Sequence, residues 1–253
     1  MGGLLNRPDK GWKFKGKRKK LFLKGDKHFC RGKLKNDNKI GFVVNRNREN
    51  NEGNSKLTCF YANVRSIVNK RDELELYVFE EKPDIIGITE SWAFEDIQDS
   101  ELNIDGYSMI RKDRILGEKL RGGGIILYLK NNLKFSVRDD FIFENFPECI
   151  FCDVKIGNEV TLIGICYRSP SSRKINDEAL FTMITKASQG KLMLMGDFNF
   201  SDINWGIPES LNDTHPFLKC INDNFLIQHV EDTTRGKNIL DLVFTSEENL
   251  IEK

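Results

Sequence analysis

The chain has 253 residues, 39% hydrophobic, 10% aromatic and 30% charged, which is enough for one domain of ordinary to large size with a layered core. No run of about 18 apolar residues occurs, so no membrane-spanning helix is expected. The charged N-terminus also lacks the apolar stretch and cleavage site of a secretory signal, so an intracellular address is expected. The net charge of +1 conceals a division. Residues 1–56 carry 17 Lys/Arg against 5 Asp/Glu, and the rest of the chain carries 22 against 33. A basic arm precedes an acidic body. Such an arm either binds phosphate backbones through counterion release or is a solvated leader. The acidic body is a poor surface for polyanions unless a bound cation sits at the point of contact.

Residues 1–56 are rich in Lys, Gly and Asn without sustained periodicity and read as arm and linker. Residues 57–253 read as the folded domain. Leu57–Ala62 is a predicted strand, followed by a loop from Asn63. Asn69–Glu81 reads as a helix with Leu74, Tyr77 and Val78 on one face, stopped by Pro83. Asp84–Thr89 is a short apolar run with the pattern of a buried strand, and its end delivers Glu90-Ser-Trp92. Further strands follow at Tyr107–Arg111, Ile125–Lys130 (after the Gly122-Gly-Gly124 turn), Cys149–Ile156 and Val160–Tyr167. A helix is expected from Asn176 to about Ser188, with Leu180, Met183, Ile184 and Ala187 inward. Lys191–Gly196 is a buried strand ending at Asp197-Phe-Asn199, His215–Phe225 a helix and Ile239–Thr245 a strand. The irregular mixture predicts an α/β (α+β) layered domain.

The six cysteines include one Cys-x-x-Cys, Cys149 and Cys152, inside a strand-like run. It reads as core and surface filler. The three histidines are not paired at ligand spacing, which argues against zinc. Polar groups stand at the ends of apolar strands: Asn63, Glu90, Tyr167, Asp197, Asn199 and Asp241. A rigid sheet can hold such groups around one point. Their types suit a hard cation such as Mg²⁺, which takes one or two carboxylates together with substrate phosphate and water. Glu90 is the candidate ligand, Asp197 a base for water, Asn199 its holder, and Tyr167 a donor to the charged phosphate. Asp241, between Leu240 and Leu242, reads either as buried and functional or as a loop acid.

Gly196-Asp-Phe-Asn199 resembles the signature of the endonuclease/exonuclease/phosphatase superfamily, which includes the apurinic/apyrimidinic endonucleases. Asn63 in Ala-Asn-Val-Arg-Ser-Ile67, Glu90 in Ile-Thr-Glu-Ser-Trp92 and Tyr167 in Tyr-Arg-Ser-Pro170 fall in that family's order. Arg121-Gly-Gly-Gly-Ile125, Asp202-Ile-Asn-Trp205, Thr234-Arg-Gly236 and Ile239-Leu-Asp-Leu-Val-Phe-Thr245 look like the versions carried by jockey, CR1 and L2-type non-LTR retrotransposons. The resemblance implies a four-layered sandwich of two mixed β-sheets flanked by helices, acting on duplex DNA with Mg²⁺ or Mn²⁺, in the nucleus. Glu90 would ligate the metal with Asn63 beside it, Asp197 would prepare the water, Asn199 would position it and Tyr167 would contact the scissile phosphate. Arg65, Arg168 and Arg235, inside the same motifs, are candidate contacts to the nucleic-acid backbone. Asp241 would orient a catalytic histidine that the family carries in a later Ser-Asp-His motif.

That motif does not occur in the 253 residues. The chain is therefore expected to be cut before its last strand and impaired in cleavage. Two other readings stand beside a DNA endonuclease. One is a decayed or domesticated remnant that binds nucleic acid through its arm, and the other is the same fold acting on an inositol phosphate or phospholipid.

Overall fold

The computed structural model describes residues 39–44, 57–114, 122–205 and 215–252. The rest of the basic arm, and Arg121 of the Gly-rich motif, lie outside the described residues. Two six-stranded mixed sheets are present. The first runs in the order β12 (Ile251–Glu252), β1 (Lys39–Val44), β2 (Leu57–Asn63), β3 (Ile85–Thr89), β5 (Ile125–Lys130), β4 (Tyr107–Lys112). The second runs β10 (Ile227–Gln228), β11 (Asp241–Thr245), β9 (Leu192–Asp197), β8 (Glu159–Tyr167), β7 (Cys149–Ile156), β6 (Phe135–Val137). Four α-helices are described: α1 (Arg71–Glu81), α2 (Asp99–Leu102), α3 (Lys174–Ala187) and α4 (Pro216–Asp223).

Period-two alternation explains the layering. In β2, Cys59 and Tyr61 enter the core between the sheets, while Phe60 and Ala62 face outward onto α1 with Leu74 and Val78. In β8 and β9, Ile163, Ile165, Tyr167, Met193 and Met195 point into the same inner core. Their alternates Leu162, Cys166, Leu192 and Leu194 pack outward with Leu180, Met183 and Ile184 of α3 and Phe217 of α4. Both faces of these strands are buried, so they read as near-continuous apolar runs in the sequence. Each such side chain contributes about 1.5–3 kcal/mol when fully buried. The expected four-layered α/β sandwich is what forms.

Lys39–Val44 departs from the sequence reading. It lies inside the stretch read as arm and linker, yet it pairs antiparallel with β2 from Lys39↔Ala62 to Val44↔Leu57, and with β12 beyond. Its Ile, Phe and Val residues have high strand propensity, which the surrounding Lys and Asn masked. β6, β10 and α2 are short elements without a visible period. α3 begins two residues before Asn176, because the Asn176 Oδ1 accepts from the Arg173 N–H at 3.0 Å and so closes the turn from inside. α1 stops where foreseen: Lys82 adopts φ 50° and donates to the Val78 carbonyl, directly before Pro83.

Candidate active site

The alternation that fills the inner core also aims the polar residues. Asn63 continues the Cys59–Tyr61 row, Asp197 the Met193–Met195 row, Tyr167 the Ile163–Ile165 row, and Asp241 the row of Val243. All four open into the layer between the sheets, at the C-terminal ends of β2, β8 and β9 and at the start of β11. Asp241 and Asp197 are direct register partners. Gly196 permits this meeting of strands: a Cβ there would stand 2.1 Å from the Cys166 carbonyl oxygen of β8.

The contacts are mutual. The Asn63 amide donates to Glu90 Oε1 at 3.1 Å and to Asp197 Oδ2 at 2.7 Å. The Tyr167 hydroxyl donates to the same Glu90 oxygen at 3.4 Å. Arg235 donates to Asp197 Oδ2 and to Asn199 Oδ1, each at 3.0 Å. The Asn199 amide donates to the Arg168 carbonyl at 2.8 Å. Glu90, Asp197, Asn199, Asn63, Tyr167 and Arg235 thus form one connected cluster. Asp241 adjoins it as the register partner of Asp197, and the Tyr61 hydroxyl donates to Asp241 Oδ1 at 2.9 Å and lies 2.7 Å from Thr89 Oγ1. A phenol has one proton, so the Thr89 hydroxyl is the donor in the second bond. The backbone N–H of Asp241 donates to Thr234 Oγ1 at 3.1 Å.

Electrostatics follow from burial. Asp197 and Asp241 are fully buried. Desolvation raises the Asp197 carboxyl above its usual range, opposed by the Arg235 guanidinium. Desolvation and the neighbouring Asp197 push Asp241 up to about 7. Burial, with Glu90 and Asp197 beside it, also raises the Tyr167 phenol, so it stays a proton donor. Three oxygens in the cluster are buried without a partner: Asn63 Oδ1, Asp197 Oδ1 and Asp241 Oδ2. Orphaned oxygens on two carboxylates and an amide, with Glu90 at the rim, form a donor set that suits a hard cation, its waters and a phosphate.

The loops carrying these residues are strained. Arg65 (φ 47°), Ser66 (94°), Glu90 (51°), Trp92 (54°) and Asn199 (51°) all occupy the left-handed region, at a cost of about 1 kcal/mol or more each. A run of backbone bonds holds them. The N–H groups of Val64, Ser66 and Ile67 donate to the Thr89, Glu90 and Ser91 carbonyls, and those of Ser91 and Trp92 donate to the Gly124 and Gly123 carbonyls.

The three candidate backbone-binding arginines separate. Arg65 is exposed on the loop after β2, and Arg235 lies inside the cluster. Arg168 does not present itself to a ligand. It is buried, paired through Nε and Nη2 with Asp177 of α3 at 2.7 and 2.9 Å, donates from Nη1 to the Phe198 and Asn199 carbonyls, and stacks on Phe200. It positions the loop carrying Asn199. The sequence reading missed Asp177 because a helix acid and a strand-end arginine nine residues apart carry no periodic signal. Tyr61 was also missed, although its place two residues before Asn63 puts both on one face of the strand. The described histidines are engaged elsewhere: His215 accepts from the Phe217 N–H at the start of α4 and lies 3.3 Å from Asp202, and His229 bonds Thr245.

A family model described as endonuclease-reverse transcriptase matches residues 161–253, the part holding Tyr167, Asp197, Asn199, Arg235 and Asp241. No curated protein sequence matches the chain. Among solved structures, the endonuclease domain of TRAS1, a telomere-specific non-LTR retrotransposon, superposes with TM-score 0.56 at 15% identity, covering 75% of this chain and 84% of that one. The apurinic/apyrimidinic endonuclease LMAP from Leishmania major gives 0.55 at 13% identity, over 82% and 79%. The 3′ phosphatase NExo from Neisseria, bound to a product DNA hairpin, gives 0.51 at 14%, over 74% and 84%. No described helix is long and apolar enough to cross a membrane. Residues 161–253 thus match the endonuclease-reverse transcriptase family model, and the chain shares the fold of these endonuclease and phosphatase structures.

Proposed function

We propose that this domain hydrolyses phosphodiester bonds in duplex DNA with Mg²⁺ or Mn²⁺, as an endonuclease derived from a non-LTR retrotransposon. The observation that carries the reading is the convergence of Asn63, Glu90, Asp197 and Asp241 with three orphaned buried oxygens among them. The retrotransposon origin is supported by the reverse-transcriptase link of the family and by the likeness to the TRAS1 domain. Action on genomic DNA would require it in the nucleus.

Glu90 and the Asn63 oxygen would hold the cation, which when bound supplies Lewis-acid polarisation of the phosphate. Asp197 keeps Oδ2 tied to Asn63 and Arg235, so its orientation is fixed and Oδ1 is the atom that takes the proton of the attacking water. Tyr167 donates to the phosphate oxygens as charge builds on them. Asn199 holds Arg235 at the cluster, where its charge faces the phosphate. Asp241 Oδ2 offers an acceptor to an N–H donor such as an imidazole. Residues 1–56 add sequence-independent attraction for the DNA backbone.

A second reading, binding without cleavage, draws on one observation: among the described residues the two histidines bond other partners than Asp241. Relaxation of supercoiled plasmid separates the two. The endonuclease reading expects slow nicking with Mg²⁺ or Mn²⁺, none with chelator, and a drop of about 10²–10³ or more in Asp197→Ala, the usual scale for one preorganised group. Duplex binding with no nicking above the Asp197→Ala level would establish the second reading instead.

A further inference from the structure

The Gly122–Gly124 turn, Glu148 and Arg114 take no part in the chemistry above, yet they adjoin it. Glu148 is 9% exposed, and its carboxylate is divided. Oε1 accepts the Gly124 N–H at 2.5 Å, and Oε2 accepts Arg114 Nε and Nη2 at 3.0 and 2.5 Å. The turn is glycine for steric reasons as well as for its positive φ: a Cβ on Gly123 would stand 2.3 Å from the Arg114 guanidinium carbon and 2.4 Å from Glu148 Oε1. Two rigid elements therefore fix the Arg114 head, which lies over the Tyr167 ring at 5.2 Å.

The guanidinium is engaged by Glu148 along its Nε–Nη2 edge, and its side chain is still 21% exposed. It lines a cleft of about 310 Å³ whose wall is shared with the active site through Tyr167. The rest of the lining includes Asn145, Ser169, Ser171 and Ser172. Arg114, its charge matched by Glu148 in the same lining, stands among hydroxyl and amide groups, and its exposed part suits an anion that also offers hydrogen-bond acceptors. The volume lies at the lower end of the range for ligand sites and is enough for one nucleotide unit. We propose that this cleft holds the nucleotide flanking the scissile phosphate, with Arg114 on its phosphodiester and the serine loop on its sugar and phosphate oxygens. Glu148 is the positioning residue that presents Arg114. The inference rests on the phosphodiester reading of the neighbouring site.

The test is equilibrium binding of the full chain to a fluorescein-labelled 20-base-pair duplex, in chelator, by fluorescence anisotropy over a range of salt. Arg114→Ala leaves Glu148 buried and unpaired, so the double variant Arg114→Ala/Glu148→Gln, whose amide oxygen still accepts from Gly124, guards against misfolding. Both variants should weaken binding about tenfold at moderate salt and lower the salt slope by about 1, with Arg114→Lys between them and wild type. Asp197→Ala should leave the dependence on Arg114 intact, so failure of the cleavage reading is seen separately in the plasmid assay. An unchanged Kd and slope in a folded double variant would overturn the cleft, even if cleavage falls.

Discussion

Asp241 is where burial and function conflict most openly. Its native carboxyl titrates near 7, whereas the unfolded value is 3.8. Between those values the native state holds a proton that the unfolded state has released. The stability from this group is present in full below pH about 4 and is lost as pH rises through 7. Metal-free Asp241→Asn should therefore melt higher than wild type at pH 8, by at least about 2 °C, while the difference shrinks toward pH 4. Calorimetry at the two pH values checks this, and a variant that melts lower at pH 8 would show Asp241 to be ionised at no cost. Tyr61 supplies the opposite case. Its hydroxyl is fully buried and serves Asp241 and Thr89 together. Tyr61→Phe should cost about 1–3 kcal/mol in urea denaturation, because it strands a carboxylate oxygen in the core. Asp241 was partly legible, standing between leucines in a strand, but only the register opposite Asp197 shows that it faces the inner layer rather than a loop, and the role of Tyr61 was not read.

At the scale of the element, the site is made by parity and by glycine. The motif Gly196-Asp-Phe-Asn199 needs its glycine because β8 and β9 run parallel in close register, Cys166 beside Gly196. Gly196→Ala has backbone, not a flexible side chain, in its way and should destabilise the domain by about 3 kcal/mol, the upper range for overpacking. A denaturation midpoint unchanged from wild type would contradict the close approach. The strands were readable because both their faces are apolar, and their ends could be placed within a residue or two. The role of Arg168 was not readable, because its pair with Asp177 depends on how α3 lies on the sheet. Lys39–Val44 was hidden for a different reason: four strand-forming residues, Ile40, Phe42, Val43 and Val44, in a basic, Asn-rich setting have no local partner, and their pairing with β2 is a tertiary fact.

For the molecule as a whole, the charge division bears on the proposed binding of DNA. Because β1 belongs to the sheet, a deletion that tests the basic arm stops before Lys39. Deleting residues 1–38 should flatten the salt dependence of duplex binding while leaving the melting temperature within about 2 °C of the full chain. An unchanged slope would assign the backbone contacts to the domain, with Arg65 and Arg235 foremost. The central claim is the proposal that Glu90 and the Asn63–Asp197 cluster hold a cation against a polyanion. Diffraction from crystals soaked in Mn²⁺, recorded for anomalous scattering, tests this most directly. The expected result is one strong peak at coordination distance, about 2.0–2.3 Å, from the Glu90 carboxylate and within the Asn63–Asp197 cluster, absent in Glu90→Ala. Full Mn²⁺ binding elsewhere, with no peak among these residues, would contradict the account.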